Sequence, residues 1–333
     1  MTEQTYYQQL AEAVGAGESD LIAKIFEDLV DEKEARVVLA AAPPATIDEI
    51  SEKSGVETGD IEALIDPLFQ KGLIFKSKKP EGIKYYRVRT IGQMHDATAL
   101  YPQISKRTLD LWKEYMATEW PDHMKAIEAV IPNPIMRVIP VNAKVDAQSQ
   151  ILAFDDVKES IDNARSLAVT KCSCRVIDGA CGHDLEVCIQ FDKAADYALE
   201  RGTGRKLAKD EAMEMLRRCE EEGLVHVGDN RRTVGHVICN CCSDCCLNWP
   251  SVRGGLGKFV QPSRFYAVVD AGLCSSCEIC LERCYFDAIS MEGENDTALV
   301  DDQKCMGCGL CLVTCPDEAL SLKEARPQDF VPV

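Results

Sequence analysis

The first 90 residues carry apolar positions at helical spacing, followed by two short runs with the composition of strands. A helix is predicted over residues 35–42, where two prolines follow. Thr46 can cap the next helix, Glu49 completes a capping box, and Gly55 ends the helix. Apolar residues recur every three or four positions between Asp60 and Gln70, which predicts a third helix.

A β-hairpin is predicted after the third helix. Residues 73–75 and 84–88 have strand character, and the segment 79–82 between them, with its proline and glycine, predicts a turn. Helices followed by a hairpin in this order resemble a winged helix-turn-helix over residues 21–89. The resemblance implies a winged-helix-like N-terminal domain, which we place at residues 1–90.

The remaining pattern predicts three further segments. Residues 91–150 are expected to form a helical connection, with Trp112 and Tyr115 on one apolar face. Residues 151–260 are expected to form a helical, cysteine-rich, metal-binding domain, and residues 261–333 a separate C-terminal domain. The predicted fold class is therefore an α+β multidomain protein.

Composition and charge narrow the class of protein. The chain has 333 residues, of which 46% are hydrophobic and 28% charged, a composition that excludes a disordered or fibrous protein; its net charge is −18. We find no apolar run of the roughly 18 residues that a membrane span needs. The N-terminus lacks the features of an export signal, so we expect a cytoplasmic protein. The negative charge argues against general binding to nucleic acid or anionic membranes.

The cysteines are the unusual feature of the composition. There are 18, and all of them lie at or after Cys172. Thiols are normally kept reduced in the cytosol, so this density indicates metal binding rather than disulfides. Cys219 is the exception, because it shares a helical face with Ala212, Met215 and Leu216 and is predicted to lie in the core.

Eight of the cysteines belong to an internal repeat. Residues 269–292 and 300–323 align at an offset of 31, and each cysteine of one copy matches one in the other. The two runs are Cys274-x2-Cys277-x2-Cys280-x3-Cys284 and Cys305-x2-Cys308-x2-Cys311-x3-Cys315-Pro316. This pattern is similar to that of bacterial ferredoxins with two [4Fe–4S] clusters.

The resemblance implies a ferredoxin-like C-terminal domain in which the last cysteine of each run binds the other cluster. The implied ligands of the first cluster are Cys274, Cys277, Cys280 and Cys315. Those of the second are Cys305, Cys308, Cys311 and Cys284. Tyr285 stands where the family usually has proline, and Ser276 and Glu278 occupy the positions of Gly307 and Gly309 in the second copy.

Nine further cysteines are candidate ligands in the middle segment: Cys172, Cys174, Cys181, Cys188, Cys239, Cys241, Cys242, Cys245 and Cys246. Neighbouring side chains of an extended chain point to opposite faces, so each vicinal pair can give one centre a single ligand. Three interpretations stay open: one or two further [4Fe–4S] clusters, a zinc site supported by His183 or His236, or a redox-active dithiol. Nine cysteines exceed the four ligands of one common centre, which favours more than one centre or a centre with additional reactive thiols.

The N-terminal segment favours docking to protein over binding to DNA. The predicted helix over residues 60–70 carries three acidic side chains and no basic one, although residues 71–89 contain seven basic side chains and one acidic one. Contact with phosphates normally requires cations on the reading element.

The functional hypothesis is an iron–sulfur electron-transfer protein that serves as a subunit or dedicated electron donor or acceptor of an anaerobic oxidoreductase. The overall arrangement resembles multidomain ferredoxin-type proteins of anaerobic bacteria and archaea. We find no nucleotide-binding glycine motif, and catalytic residues stay unassigned, so substrate chemistry is expected on a partner.

Two rival functions remain open at this point: an iron–sulfur redox-sensing transcriptional regulator, and a reductase with its own chemistry at the middle site. Residues 261–333 carry five basic and thirteen acidic side chains. The expected partner is therefore a redox protein or catalytic oxidoreductase subunit with a basic docking surface.

Overall fold

The computed structural model describes residues 4–80, 82–141, 156–232, 235–250, 258–292 and 297–332. The chain divides into two compact units. The first unit comprises residues 1–123, 173–180 and 201–203, and the second comprises residues 124–172, 181–200 and 204–333. Within the described residues, no helix is both long and apolar enough to cross a bilayer.

The helices follow one another along the chain as α1 (Tyr6–Ala13), α2 (Asp20–Leu29), α3 (Glu32–Ala40), α4 (Ile47–Ser54), α5 (Thr58–Lys71), α6 (Ile91–Ala99), α7 (Lys106–Thr118), α8 (Trp120–Val130), α9 (Val157–Asn163), α10 (Ser173–Asp178), α11 (Asp192–Glu200), α12 (Lys209–Glu222), α13 (Ile279–Arg283) and α14 (Leu310–Val313).

The strands are β1 (Ile74–Lys79), β2 (Gly82–Arg87), β3 (Met136–Val138), β4 (Leu167–Lys171), β5 (Glu186–Phe191), β6 (Gly204–Lys206), β7 (Val225–Asp229), β8 (Val237–Cys241), β9 (Val260–Gln261), β10 (Phe265–Val269), β11 (Ile289–Glu292), β12 (Thr297–Val300) and β13 (Leu320–Glu324). Strands β3 to β9 form one sheet in the order β6-β4-β5-β8-β7-β3-β9. Its neighbouring strands are antiparallel except for β3 and β9, which are parallel.

The local signals in the first unit produce the predicted elements. The Glu49 amide donates to Thr46 Oγ1 at 3.3 Å and the Thr46 amide donates to Glu49 Oε2 at 2.7 Å, so the capping box is present. Gly55 ends α4 with a left-handed φ of 65°. Strands β1 and β2 pair across the predicted turn, with Lys79 opposite Gly82. The order of helices followed by a hairpin is therefore as predicted.

A buried arginine joins two helix ends in the first unit. Arg201 Nε donates to the Phe69 carbonyl at 3.1 Å, and its Nη2 donates to the carbonyls of Gln70 at 2.9 Å and Ala97 at 2.8 Å. These carbonyls belong to the last turns of α5 and α6, where carbonyls lack a partner within the helix, although the Phe69 carbonyl also accepts from the Gly72 amide at 3.0 Å. Burial lowers the pKa of Arg201 to about 10.

The middle segment, residues 151–260, is not the helical domain that the sequence predicted, because it contains strands as well as helices. Residues 151–260 contain strands β4 to β8 of the seven-stranded sheet together with the four helices α9 to α12. Strand β4 is a run of four buried residues followed by an exposed lysine. Such a short run has no period that distinguishes a buried strand from a buried helix.

The C-terminal repeat is also a structural repeat. The Asp270 amide donates to the Ala319 carbonyl, and the Asp301 amide donates to the Ala288 carbonyl, each at 2.8 Å. These two bonds are related by the sequence offset of 31. Strand β10 pairs with β13 and β11 with β12, so each small sheet joins the two copies.

We expect Arg201→Met to lower the free energy of unfolding by about 2–4 kcal/mol, because three carbonyls, two of them in buried hydrogen bonds, lose a charged donor. Anaerobic denaturant unfolding measures this change. Arg218→Met is the matched control, because Arg218 is exposed on α12 and surface substitutions typically change stability by less than about 0.5 kcal/mol. Equal effects of the two substitutions would contradict the assigned role.

Candidate metal centres

Four cysteines line a first cavity of about 360 Å³ in the C-terminal repeat: Cys274, Cys277, Cys280 and Cys315. They are the four residues that the ferredoxin resemblance assigns to the first cluster. The other residues that line this cavity are mainly apolar, among them Val269, Met291 and Leu320. Two acidic residues, Glu278 and Asp317, also line it.

Four other cysteines line a second cavity of about 340 Å³: Cys284, Cys305, Cys308 and Cys311. These match the second implied ligand set, including the exchange of the last cysteine between the runs. Phe286, Met306 and Ala267 provide apolar walls. The fold therefore brings the two implied sets together, each around its own cavity.

Backbone amides point at the sulfur atoms of both cavities. The Ala288 amide donates to Cys284 Sγ at 3.4 Å and the Ala319 amide to Cys315 Sγ at 3.3 Å, again related by the offset of 31. The Ala267 amide donates to Cys305 Sγ at 3.5 Å. Such bonds stabilise negative charge on sulfur and are among the protein features that tune cluster potential.

Burial makes these thiols poor anions without a bound cation. It raises the pKa of Cys308 to about 12, that of Cys311 well above the usual value, and those of Cys280 and Cys305 by less. Iron supplies positive charge where each thiolate would lie. The four thiol donors of each cavity and the amide bonds to their sulfurs therefore fit [4Fe–4S] clusters.

The turns between the ligands require left-handed backbone. Ser276 and Glu278 have φ of 59° and 62°, and their counterparts Gly307 and Gly309 have φ of 65° and 80°. Gly307 has a second constraint, because a Cβ there would overlap the Phe265 carbonyl oxygen and the Ser263 side chain. The first copy can therefore accept side chains, at a cost in strain, where the second copy needs glycine.

A five-thiol group lies at one end of the large sheet, formed by Cys172, Cys188, Cys239, Cys241 and Cys246. Hydrogen bonds to Cys172 and Cys239 raise the pKa of Cys188, and hydrogen bonds to Cys239 and Cys246 raise the pKa of Cys241. Strand register explains this group. Ile189 of β5 lies opposite Ile238 of β8, so Cys188 and Cys239 are neighbours, and Cys241 shares the face of Cys239.

A second group in the same unit, the Cys3Asp group, consists of Cys181, Cys242, Asp244 and Cys245, whose ligand atoms all lie within 4.8 Å of one another. Each vicinal pair is thus divided between groups: Cys241 and Cys246 belong to the five-thiol group, Cys242 and Cys245 to the Cys3Asp group. The alternation of side chains along the chain predicted such a division, but Asp244 carried no sequence signal that distinguished it.

The other sequence candidates are not members of the Cys3Asp group. Cys174 is on α10 of the first unit. His183 Nδ1 lies 3.5 Å from a Glu222 carboxylate oxygen and His236 Nδ1 lies 3.4 Å from one of Asp229, so neither belongs to the Cys3Asp group. Cys219 is buried on α12 as predicted.

Comparison with known proteins supports the C-terminal site. Residues 273–319 match the family described as "4Fe-4S dicluster domain". This segment is similar to 4Fe–4S dicluster domains. The chain is also similar to the Bacillus subtilis (strain 168) protein named "Uncharacterized HTH-type transcriptional regulator YcgE", with 28% identity over 116 residues, or 34% of this chain and 67% of the relative. No solved structure is significantly similar to the chain.

We expect Gly307→Ser to remove about four iron and four sulfide per chain, those of the second cavity, because the side chain would displace the turn that carries Cys305 and Cys308. Ser276→Gly makes the reverse change at the matching position, relieves the left-handed strain, and should leave the iron content unchanged. Iron and acid-labile sulfide per chain after anaerobic purification measure both. Full iron content in Gly307→Ser would show that the glycine is not required.

Proposed function

We propose that this chain is an electron-transfer protein that serves an oxidoreductase of an anaerobic cell as a subunit or dedicated donor or acceptor. The observation that carries the proposal is the pair of four-thiol cavities within one dicluster domain. Cys280 from one cavity and Cys311 from the other belong to the same hydrophobic core, with Phe265 and Leu322. Clusters held this close can pass single electrons from one to the other.

The first cavity is the better candidate for exchange with a partner. Cys277 is exposed, whereas all four thiols of the second cavity are buried or partly buried. Leu273 and Ile279 beside the first cavity are 54% and 40% exposed. An exposed ligand surrounded by apolar residues and acids gives a partner short access to a cluster.

An aromatic contact supports extension of the path from the second cavity to the middle thiols. Phe286 lines that cavity, and its ring meets the ring of Trp249 edge-on at 5.5 Å. Trp249 Nε1 donates to the Cys242 carbonyl at 2.6 Å. Cys246, a member of the five-thiol group, lies three residues before Trp249 in the chain. The five-thiol group is accordingly our candidate for a further iron–sulfur cluster.

Anaerobically purified protein should contain at least eight iron atoms and eight sulfides per chain, because a dicluster domain holds two four-iron centres. Reduction by a low-potential donor should be followed by electron paramagnetic resonance, with two interacting spins from the dicluster domain. An iron content near four, or no reversible one-electron reduction, would overturn the proposed function.

Charge favours a basic partner surface. The C-terminal segment, residues 261–333, has a net charge of −8, and each cluster with four thiolates adds negative charge. Complementary charge increases the rate of encounter and makes it sensitive to salt. Glu278 and Glu282 are exposed next to ligands of the first cavity and are therefore placed to contact such a partner.

We expect the double change Glu278→Lys and Glu282→Lys to slow electron transfer to a basic c-type cytochrome by roughly 3- to 10-fold at low salt. The difference should diminish above about 0.15 M salt, where the Debye length falls below roughly 8 Å. Stopped-flow absorbance measures the rates. The double change Asp302→Lys and Asp329→Lys, at two exposed positions outside the lining of the two cavities, alters the net charge equally and is the control. Rates independent of salt would contradict a charge-steered encounter.

A redox-sensing regulator is the second candidate, favoured by the similarity to the Bacillus subtilis protein named as an HTH-type regulator. Two acidic side chains of helix α5 are paired with lysines: Asp60 with Lys33 at 3.1 Å and Asp66 with Lys76 at 3.0 Å. These pairs neutralise part of the negative charge that would disfavour contact with phosphates. Gel-shift titration of genomic DNA fragments with oxidised and reduced protein distinguishes the candidates. Tight, salt-sensitive binding in one redox state would favour the regulator.

A further inference from the structure

The Cys3Asp group connects two neighbouring segments of the second unit. Cys181 lies in the loop before β5, and the other three members follow the end of β8, the strand next to β5. The Trp249 indole donates to the Cys242 carbonyl and so fixes the β8 end of this loop. The fold therefore holds four donors from two loops at one point.

The spacing of the donors fits one metal ion. Cys242 Sγ lies 3.1 Å from Cys245 Sγ and 3.8 Å from Cys181 Sγ, and Asp244 Oδ1 lies 4.0 Å from Cys181 Sγ. With Zn–S bonds of about 2.3 Å in a tetrahedron, neighbouring sulfurs around one zinc are roughly 3.8 Å apart. The distance between Cys181 Sγ and Cys242 Sγ matches that separation, and the distance between Cys242 Sγ and Cys245 Sγ is about 0.7 Å shorter.

A four-iron cluster requires a wider ligand set. Each of its four iron atoms sits at its own corner and carries one thiolate, so the ligand sulfurs lie farther apart than those around one ion. The ferredoxin cavities provide an internal comparison: in the part of the chain that the structure describes, no three of the sulfurs lining either cavity all lie within 4.8 Å of one another. The Cys3Asp group is too compact for the centre that those cavities fit.

The donor types select the class of ion. Three sulfurs and one carboxylate oxygen suit zinc and chemically similar divalent ions, whereas magnesium and calcium prefer oxygen alone. Cys242 is buried and Asp244 is exposed, so the ion would lie at the surface with its oxygen ligand toward solvent.

We propose that Cys181, Cys242, Cys245 and Asp244 bind one divalent ion of the zinc class, separate from the iron–sulfur clusters. The ion holds the loop before β5 to the loop after β8, beside the contact of Trp249 with Phe286. This inference does not depend on the electron-transfer function, since it concerns different residues and a different metal.

The full chain, purified anaerobically from medium containing zinc, tests the proposal by metal analysis. Wild-type protein should hold about one zinc per chain in addition to its iron. Cys242→Ser should lose that zinc and keep its iron and sulfide, and Cys219→Ala should keep all three. Asp244→Asn, an exposed and milder change, should weaken zinc binding at least about tenfold in competition with a chelator.

Cobalt provides a spectroscopic check, because thiolate-to-cobalt charge-transfer bands report the number of sulfur ligands. Cobalt-loaded wild-type protein should show these bands, and Cys242→Ser should not. Loss of about four iron and four sulfide in Cys242→Ser would overturn the proposal in favour of a cluster at this group. One titratable thiol fewer in metal-free wild-type protein than in Cys242→Ser, instead of one more, would overturn it in favour of a disulfide between Cys242 and Cys245. Iron in the same samples shows separately whether the dicluster domain is loaded.

Discussion

The burial of thiolates is the constraint on which the C-terminal part of this molecule depends. A thiolate in an apolar cavity is costly unless a cation neutralises it. Cys308 and Cys311 show the cost, since burial raises the pKa of both. Metal binding and folding are therefore linked in this region, because the ordered cavities depend on the charge that the clusters supply.

The backbone of the repeat serves the same requirement. Two-residue spacers bring three sulfurs of a run to one cavity only if the chain turns through left-handed conformations. Gly307 and Gly309 provide these turns without strain, and Ser276 and Glu278 provide them in the first copy with some. In the first copy, the residue at the position of Gly309 is Glu278, an exposed acid next to the cavity at which we propose that the partner docks.

The middle thiols show how a sheet distributes ligands. Cysteines 239 and 241 occupy one face of β8, and register brings Cys188 of β5 beside them. After the strand ends, Cys242 and Cys245 turn away and meet Cys181. Two adjacent strands thus supply two separate groups of donors, which accounts for a number of cysteines that no single centre could use.

The sequence alone determined the repeat, the pairing of the last cysteines between runs as the ferredoxin resemblance implies it, the core position of Cys219, and the capped helix that Thr46 begins. These depend on residues close together in the chain, where spacing limits geometry. Only the tertiary structure decided that the middle segment is a sheet and which of its cysteines meet. Strand order and register join residues some fifty positions apart, as at Cys188 and Cys239, and no local pattern encodes that pairing. Asp244 was overlooked for the same reason, because a carboxylate becomes a candidate ligand only when the fold places thiols around it.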